Sequence, residues 1–377
     1  MTENNGTSPT RVDTDWTQQA WLWPLEATRL ALDSYAQWFA LEQPREDPAP
    51  LEWTTPNVVK LDLQSMQLRS FSHPGTGQSP VLVCAPYALH RALIADFAPG
   101  HSLVETLRNN GVNNIHLTDW RSASPDMCNL SIDNYLADLN VAIDEIGAPA
   151  DLVGLCQGGW LSLLYAARFP GKVRRIVLAG TPVDVSTPST LSTMAKALPR
   201  PAFAQMLRQG NGIVSGEYML RFWNKPFSRQ DIEGVLQRGL DDKSEDVRTL
   251  LDRFQRWDRA PMDLPGIFYL EVIDRIFCQN QIAQARFAAL GRSVDLAEVR
   301  VPVFLLAGDD DTVVPRDQAF ATGRLLGTPP AWLEQASSPC GHLGLFMGRD
   351  TLSHHWRGIA RWLQADLGES AGARMSA

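Results

Sequence analysis

Residues 151–170 read DLVGLCQGGWLSLLYAARFP, a short apolar run that breaks into a glycine-rich turn and continues at once as a helix-forming amphipathic segment. Strand, sharp turn and helix in that order make a nucleophile elbow of the form G-x-S-x-G, here with Cys156 where serine is usual. Gly154 and Gly158 let two backbone segments pass close to each other. The turn holds its central residue in a strained conformation. A thiol there lies at a helix N-terminus, where partial positive charge favours the thiolate. The competing structural reading is a buried cysteine before a glycine turn.

Outward from the elbow, the chain alternates short apolar runs with amphipathic segments. The pattern predicts strands at Val58–Leu63, Met66–Phe71, Val81–Cys84, Ile115–Trp120, Ile176–Ala179, Val303–Gly308 and Trp332–Gln335. Helices are expected over Ser102–Asn110, Ile132–Ile146 and Leu352–Leu367. This rhythm implies a mostly parallel sheet with helices on both faces. It stops over 185–290, a mostly helical, aromatic stretch placed to cap a site at the strand ends. The organisation expected is a disordered tail at 1–15, an aromatic amphipathic helix and linker over 16–56, core segments at 57–184 and 291–368 flanking the cap, and a flexible tail at 369–377.

Composition narrows the function. Lys and Arg number 34 against 42 Asp and Glu, a formal charge of -8, which argues against a nucleic-acid partner. The five cysteines are scattered, without the spacing of a metal site or a disulfide framework. No metal and no cofactor is therefore expected. The polar, acidic start does not resemble a signal peptide, and no run is long enough to span a bilayer, so a cytoplasmic protein is expected.

A thiol nucleophile needs a base, and an imidazole is the usual one. Of the seven histidines, His342 in Cys340-Gly341-His342 follows the last predicted strand, where the order nucleophile, acid, histidine puts the base. His73, His90, His101 and His116 precede the elbow, and His354 and His355 fall on a polar stretch of the final helix. The acid belongs after the penultimate strand, at Gly308-Asp309-Asp310-Asp311-Thr312-Val313-Val314-Pro315. Asp311 is the first choice and Asp310 the second, against a merely solvated acidic turn. Oxyanion donors would be the backbone N–H of Gln157 and one from the Tyr87–Leu89 loop, taken as Ala88. Cys340 is expected to pack as a small apolar group. Asp184, in Thr181-Pro182-Val183-Asp184, has a capping reading at least as good as a catalytic one.

Residues 154–188, GLCQGGWLSLLYAARFPGKVRRIVLAGTPVDVSTP, resemble the elbow region of polyhydroxyalkanoate synthases, above all the short catalytic subunits. Residues 293–315, SVDLAEVRVPVFLLAGDDDTVVP, and the Gly341-His342 pair resemble that family's acid and histidine segments. The resemblance implies an α/β-hydrolase fold and an acyltransferase that polymerises (R)-3-hydroxyacyl-CoA. It implies Cys156 as the acylated nucleophile, His342 as base and Asp311 as its support, with the CoA thioester a substrate. It also implies a second synthase subunit or a homodimer, and association with polyester granules. Thr312 departs from the family, which commonly has His after the acid. Residues 117–124, LTDWRSAS, and 341–348, GHLGLFMG, resemble intracellular polyhydroxyalkanoate depolymerases instead, so a depolymerase or thioester hydrolase with the same triad is the alternative.

Overall fold

The computed structural model describes residues 51–366 except 73–74, 76, 198–199, 223–231, 233–234 and 237–244. The expected N-terminal tail, the aromatic helix within 16–50 and the C-terminal tail lie outside the described residues.

Eight strands form the central sheet: β1 Val58–Asp62, β2 Met66–Ser70, β3 Val81–Cys84, β4 Ile115–Trp120, β5 Ala150–Leu155, β6 Val173–Ala179, β7 Val303–Gly308 and β8 Leu333–Ser338. Their spatial order is β1-β2-β4-β3-β5-β6-β7-β8. The pairs β1·β2 and β2·β4 are antiparallel, and every later pairing is parallel. The elbow strand β5 therefore lies mid-sheet between β3 and β6.

Side chains alternate across a strand, so one strand feeds two cores. Leu82 and Cys84 of β3 join one apolar cluster with α2 (Ile132–Ile146) and α3 (Gln157–Arg168). Val81 and Val83 join the other, with α1 (Leu103–Asn109) and the C-terminal helix Arg357–Gln364. The helix starts obey their sequence: the Ser102 hydroxyl accepts from the Glu105 amide, and Ser131 and Asn134 form a reciprocal capping box ahead of α2.

Four departures from the sequence pattern have physical causes. Strand β6 begins at Val173, before the apolar run, because Arg175 is buried and its guanidinium donates to the carbonyls of Trp362 and Leu363 at 2.6 Å each and to that of Ala365. The end of the expected linker is held on the core, since Thr55 donates from both N and Oγ1 to Asp96 at 2.8 Å. The final helix is an α-helix only from Arg357, preceded by a π-helical turn over Leu352–Trp356. Last, the segment between β6 and β7 is not purely helical. It holds helices at Thr190–Ala197, Arg200–Gln209, Gly216–Phe222, Glu245–Asp258 and Gly266–Glu271, and a short ladder of Ile213–Val214 with Leu264–Pro265. A hairpin of Phe287–Ala289 with Arg292–Val294 follows, turning through positive φ at both Leu290 and Gly291. The cap boundary drawn at 290/291 falls on that turn.

Candidate active site

Cys156 sits between β5 and α3 with φ 48° and ψ -116°, a strained conformation for a residue with a Cβ. The surrounding glycines make this turn possible. A Cβ on Gly158 would lie 2.0 Å from the Cys84 carbonyl oxygen, and one on Gly154 would lie 2.3 Å from Gly159 Cα. The Cys156 amide donates to the Ala179 carbonyl at 2.8 Å, which pins the turn to β6. As the first residue of α3, Gln157 has no intrahelical acceptor for its N–H.

His342 follows β8, and its Nδ1 lies 2.7 Å from Asp311 Oδ2. Asp311 uses its other oxygen to accept from the amides of Val313 and Val314, both at 2.8 Å. Both partners are buried, at 7% and 5% exposure for His342 and Asp311, so the pair is shielded from water. With Nδ1 committed to the carboxylate, Nε2 is the ring nitrogen left for Cys156, which lines the same cavity. Burial by itself would lower the His342 pKa. The Asp311 carboxylate, together with the charge and hydrogen bond of Cys156, outweighs burial and holds the imidazole well above its usual value.

The ring is fixed from two further sides. Phe346 meets it edge-on at 5.1 Å between centroids. Gly180, at φ 53°, leaves room for it, because a Cβ there would approach His342 Cε1 to 3.1 Å and Leu345 Cδ1 to 2.9 Å. Sequence reasoning used Gly180 only as the end of a strand. A glycine immediately after a buried strand on the elbow's flank was the available signal.

The other predicted residues separate cleanly. Ala88, Gln157, Cys156 and His342 line one cavity of about 160 Å³, with Asp311 behind the imidazole. Asp310 is exposed, and Asp309 pairs with Arg316 at 2.9 Å, so only Asp311 of the three acids turns inward. Thr312 points to solvent while its carbonyl accepts from the Thr190 amide, which keeps its side chain out of the triad. Asp184 accepts from the Ser186 amide at 3.0 Å and from Asn280 Nδ2 at 2.8 Å, a turn-forming role. Cys340 is buried against the Thr351 hydroxyl at 3.5 Å.

The histidines set aside by chain order occupy other environments. His101 bonds the Met347 carbonyl, His116 is buried in β4, and His354 is exposed. His73 lies outside the described residues. His90 lines the cavity, but it stacks on Trp257 at 4.3 Å and lies 3.5 Å from Asp258, both on the helix Glu245–Asp258. Two more bonds join the same elements: Trp257 Nε1 donates to the Arg91 carbonyl at 3.1 Å, and the Met262 amide to the Leu89 carbonyl at 2.6 Å. The loop carrying Ala88 is thus tied to the cap.

A family model described as "Alpha/beta hydrolase family" matches residues 95–361. The chain belongs to the alpha/beta hydrolase family. The eight-stranded sheet and the elbow agree with that membership. The fold is also that of a monoacylglycerol lipase from Paleococcus ferrophilus, with a TM-score of 0.50 over 80% of this chain and 98% of the lipase at 18% identity.

Within the family, the resemblance read from residues 154–188 is borne out. Over 299 residues the chain is 29% identical to the poly(3-hydroxyalkanoate) polymerase subunit PhaC of Synechocystis sp., covering 75% of this chain and 78% of that protein. Over 322 residues it is 26% identical to the subunit of the same name from Haloferax mediterranei, covering 82% of this chain and 63% of that protein. Among the described residues no group of three or more His, Cys, Asp or Glu side chains is placed to hold a metal ion. No described helix is long and apolar enough to cross a membrane.

Proposed function

We propose that the protein is an acyltransferase of the polyhydroxyalkanoate synthase type, which polymerises (R)-3-hydroxyacyl groups from CoA thioesters through a covalent acyl-cysteine. The observation that carries the reading is the hydrogen-bonded Asp311–His342 pair, whose imidazole shares one cavity with Cys156 at the strained turn. Similarity to PhaC subunits supports it independently.

The steps follow from the geometry. His342 holds the Cys156 proton on Nε2 as the imidazolium, and the thiolate sulfur attacks the thioester carbonyl. The developing oxyanion is met by the N–H groups of Gln157 and Ala88. The bond to the CoA sulfur breaks, and His342 returns the proton to the departing thiolate. In the second half His342 takes the proton of an incoming 3-hydroxyl. That oxygen bonds to the acyl carbon, and Cys156 leaves. Exchange of one thioester for another keeps the acyl group activated for attack by a hydroxyl, an advantage that a serine ester would not offer. Asp311 holds the ring with Nε2 toward the thiol and stabilises the imidazolium.

The cap's contribution to the cavity, including Trp257, Ile273 and Phe277, is uncharged among the described residues. Such a wall excludes water, whose attack on the acyl-enzyme would end chain growth. The cavity, about 160 Å³, is smaller than the roughly 300–1,000 Å³ typical of drug-sized ligand pockets, which favours short acyl groups.

The test is incubation of the purified protein with 3-hydroxybutyryl-CoA, with thiol release and product followed together. CoA release with insoluble polymer is the expected outcome. CoA release with free hydroxybutyrate only would replace the reading with a thioester hydrolase. Breakdown of amorphous polymer without CoA release would make it a depolymerase.

A further inference from the structure

Two side chains that line the cavity each carry a buried polar atom without a partner among the described residues. Trp160, on α3 one turn beyond Cys156, is completely buried, and its indole N–H has no acceptor among the described residues. Gln157, three residues earlier on the same helix, has a buried Oε1 with no donor among the described residues. Both side chains line the cavity that holds Cys156 and His342. Positions i and i+3 share one face of a helix, so the two side chains are neighbours there. An unsatisfied donor or acceptor in an apolar enclosure costs stability, and natural proteins rarely leave one without a use. Here an orphan donor and an orphan acceptor belong to side chains about one turn apart on one helix.

Only a group that can donate and accept satisfies both. A hydroxyl does so; a methylene does neither, and a carbonyl or ester oxygen answers only the indole. We infer that Trp160 Nε1–H and Gln157 Oε1 form a hydroxyl-recognition subsite, with the indole donating to the 3-hydroxyl of the bound acyl group and the amide oxygen accepting from it. The inference rests on the acyl-cysteine reading above and deepens it: the subsite selects acyl groups hydroxylated near the thioester over plain fatty acyl groups of equal length. It also turns the 3-hydroxyl of the bound acyl chain toward α3. Trp160 is then a specificity-determining residue, distinct from the oxyanion donors, which act through the backbone.

The experiment compares acylation of Cys156 by 3-hydroxybutyryl and butyryl donors, each as the CoA thioester and as the p-nitrophenyl ester. Release of CoA or nitrophenol is read at initial rate. Two variants remove one polar atom each and keep most of the volume: Trp160→Phe and Gln157→Met. The expected result is a preference for the hydroxylated donor in the wild type, expressed as a ratio of kcat/KM. That ratio falls by about tenfold in Trp160→Phe, the order expected for one hydrogen bond to a neutral group. It also falls in Gln157→Met. An unchanged ratio in both variants, whatever happens to the absolute rates, overturns the subsite. A wild type that does not discriminate between the donors overturns it equally. The proposed reaction is judged separately by the product: hydrolysis in place of polymer formation sinks the transferase while the ratio still decides the subsite. Failure of all four donors to acylate Cys156 sinks both.

Discussion

The core and the cap meet at one cavity but build their sides of it by different means. On the core side each chemical group is set by backbone. Cys156 hangs from the Ala179 carbonyl, Asp311 takes two main-chain amides, and His342 is held between Asp311, Phe346 and the bare face of Gly180. On the cap side the wall is made of side-chain bulk from Leu191, Trp257, Tyr269, Ile273 and Phe277. Backbone-fixed groups tolerate little displacement, because the reaction requires geometry to a fraction of an ångström. A wall of apolar bulk can change volume and still exclude water. The two sides therefore answer to substitution differently, the core in rate and folding, the cap in which acyl group fits.

The strongest way to break this comparison is Cys156→Ala. Turnover is expected to fall by at least about 10³-fold, to the level left by binding and the oxyanion donors alone, with the melting temperature little changed. Residual CoA release near the wild-type rate would place the chemistry elsewhere.

Asp311→Asn comes next, with a loss of about 10²- to 10⁴-fold in kcat from misdirection of the imidazole. It also carries a pH signature. Because the folded protein holds His342 protonated well above the ordinary value, that proton's contribution to stability is complete below the unfolded imidazole pKa of about 6.5. The contribution is lost as pH rises through the folded value. The stability gap between wild type and Asp311→Asn is accordingly widest in mildly acidic buffer and narrows on the alkaline side. A gap independent of pH in thermal melts would contradict the coupling.

Gly158→Ala sharpens the comparison from the folding side. Its methyl would overlap the Cys84 carbonyl, backbone against backbone, with no flexible side chain to give way. A loss of about 1–3 kcal/mol or more in denaturant unfolding is expected. The smallest effect belongs to the cap: Phe277→Ala should cost a few-fold in kcat/KM on the shortest hydroxyacyl-CoA and raise relative activity on longer ones. A chain-length profile that does not move would show that Phe277 is not a limiting wall.

Much of the core side was legible because its signals are local. A glycine-bracketed cysteine between an apolar run and an amphipathic one can mean few things, and the order Cys156, Asp311, His342 restricted them further. Asp311 could be chosen over its two acidic neighbours because Val313 and Val314 follow it; their amides hold its carboxylate. What escaped depends on partners distant in sequence. Nothing around Arg175 announces that helix-end carbonyls nearly 190 residues later will accept its guanidinium, so β6 read short. Gly180 reveals its purpose only when His342 is beside it. The cap was readable as aromatic and largely helical, but its short strand pairs lack the length that makes a period visible.

The ties at Leu89, His90 and Arg91 bear on how substrate can come and go. The cap helix ending at Asp258 and the chain just beyond it grip the loop that carries Ala88, the proposed second oxyanion donor. With those bonds kept, a displacement of that part of the cap would carry Ala88 with it, so on the proposed assignment opening the chamber would also dismantle the oxyanion site. On that assignment the enzyme would be switched off whenever this part of the cap is displaced. Under the proposed acyl-cysteine mechanism, water entering along with the substrate would find no prepared oxyanion site, and a growing chain would be protected when its thioester is most exposed.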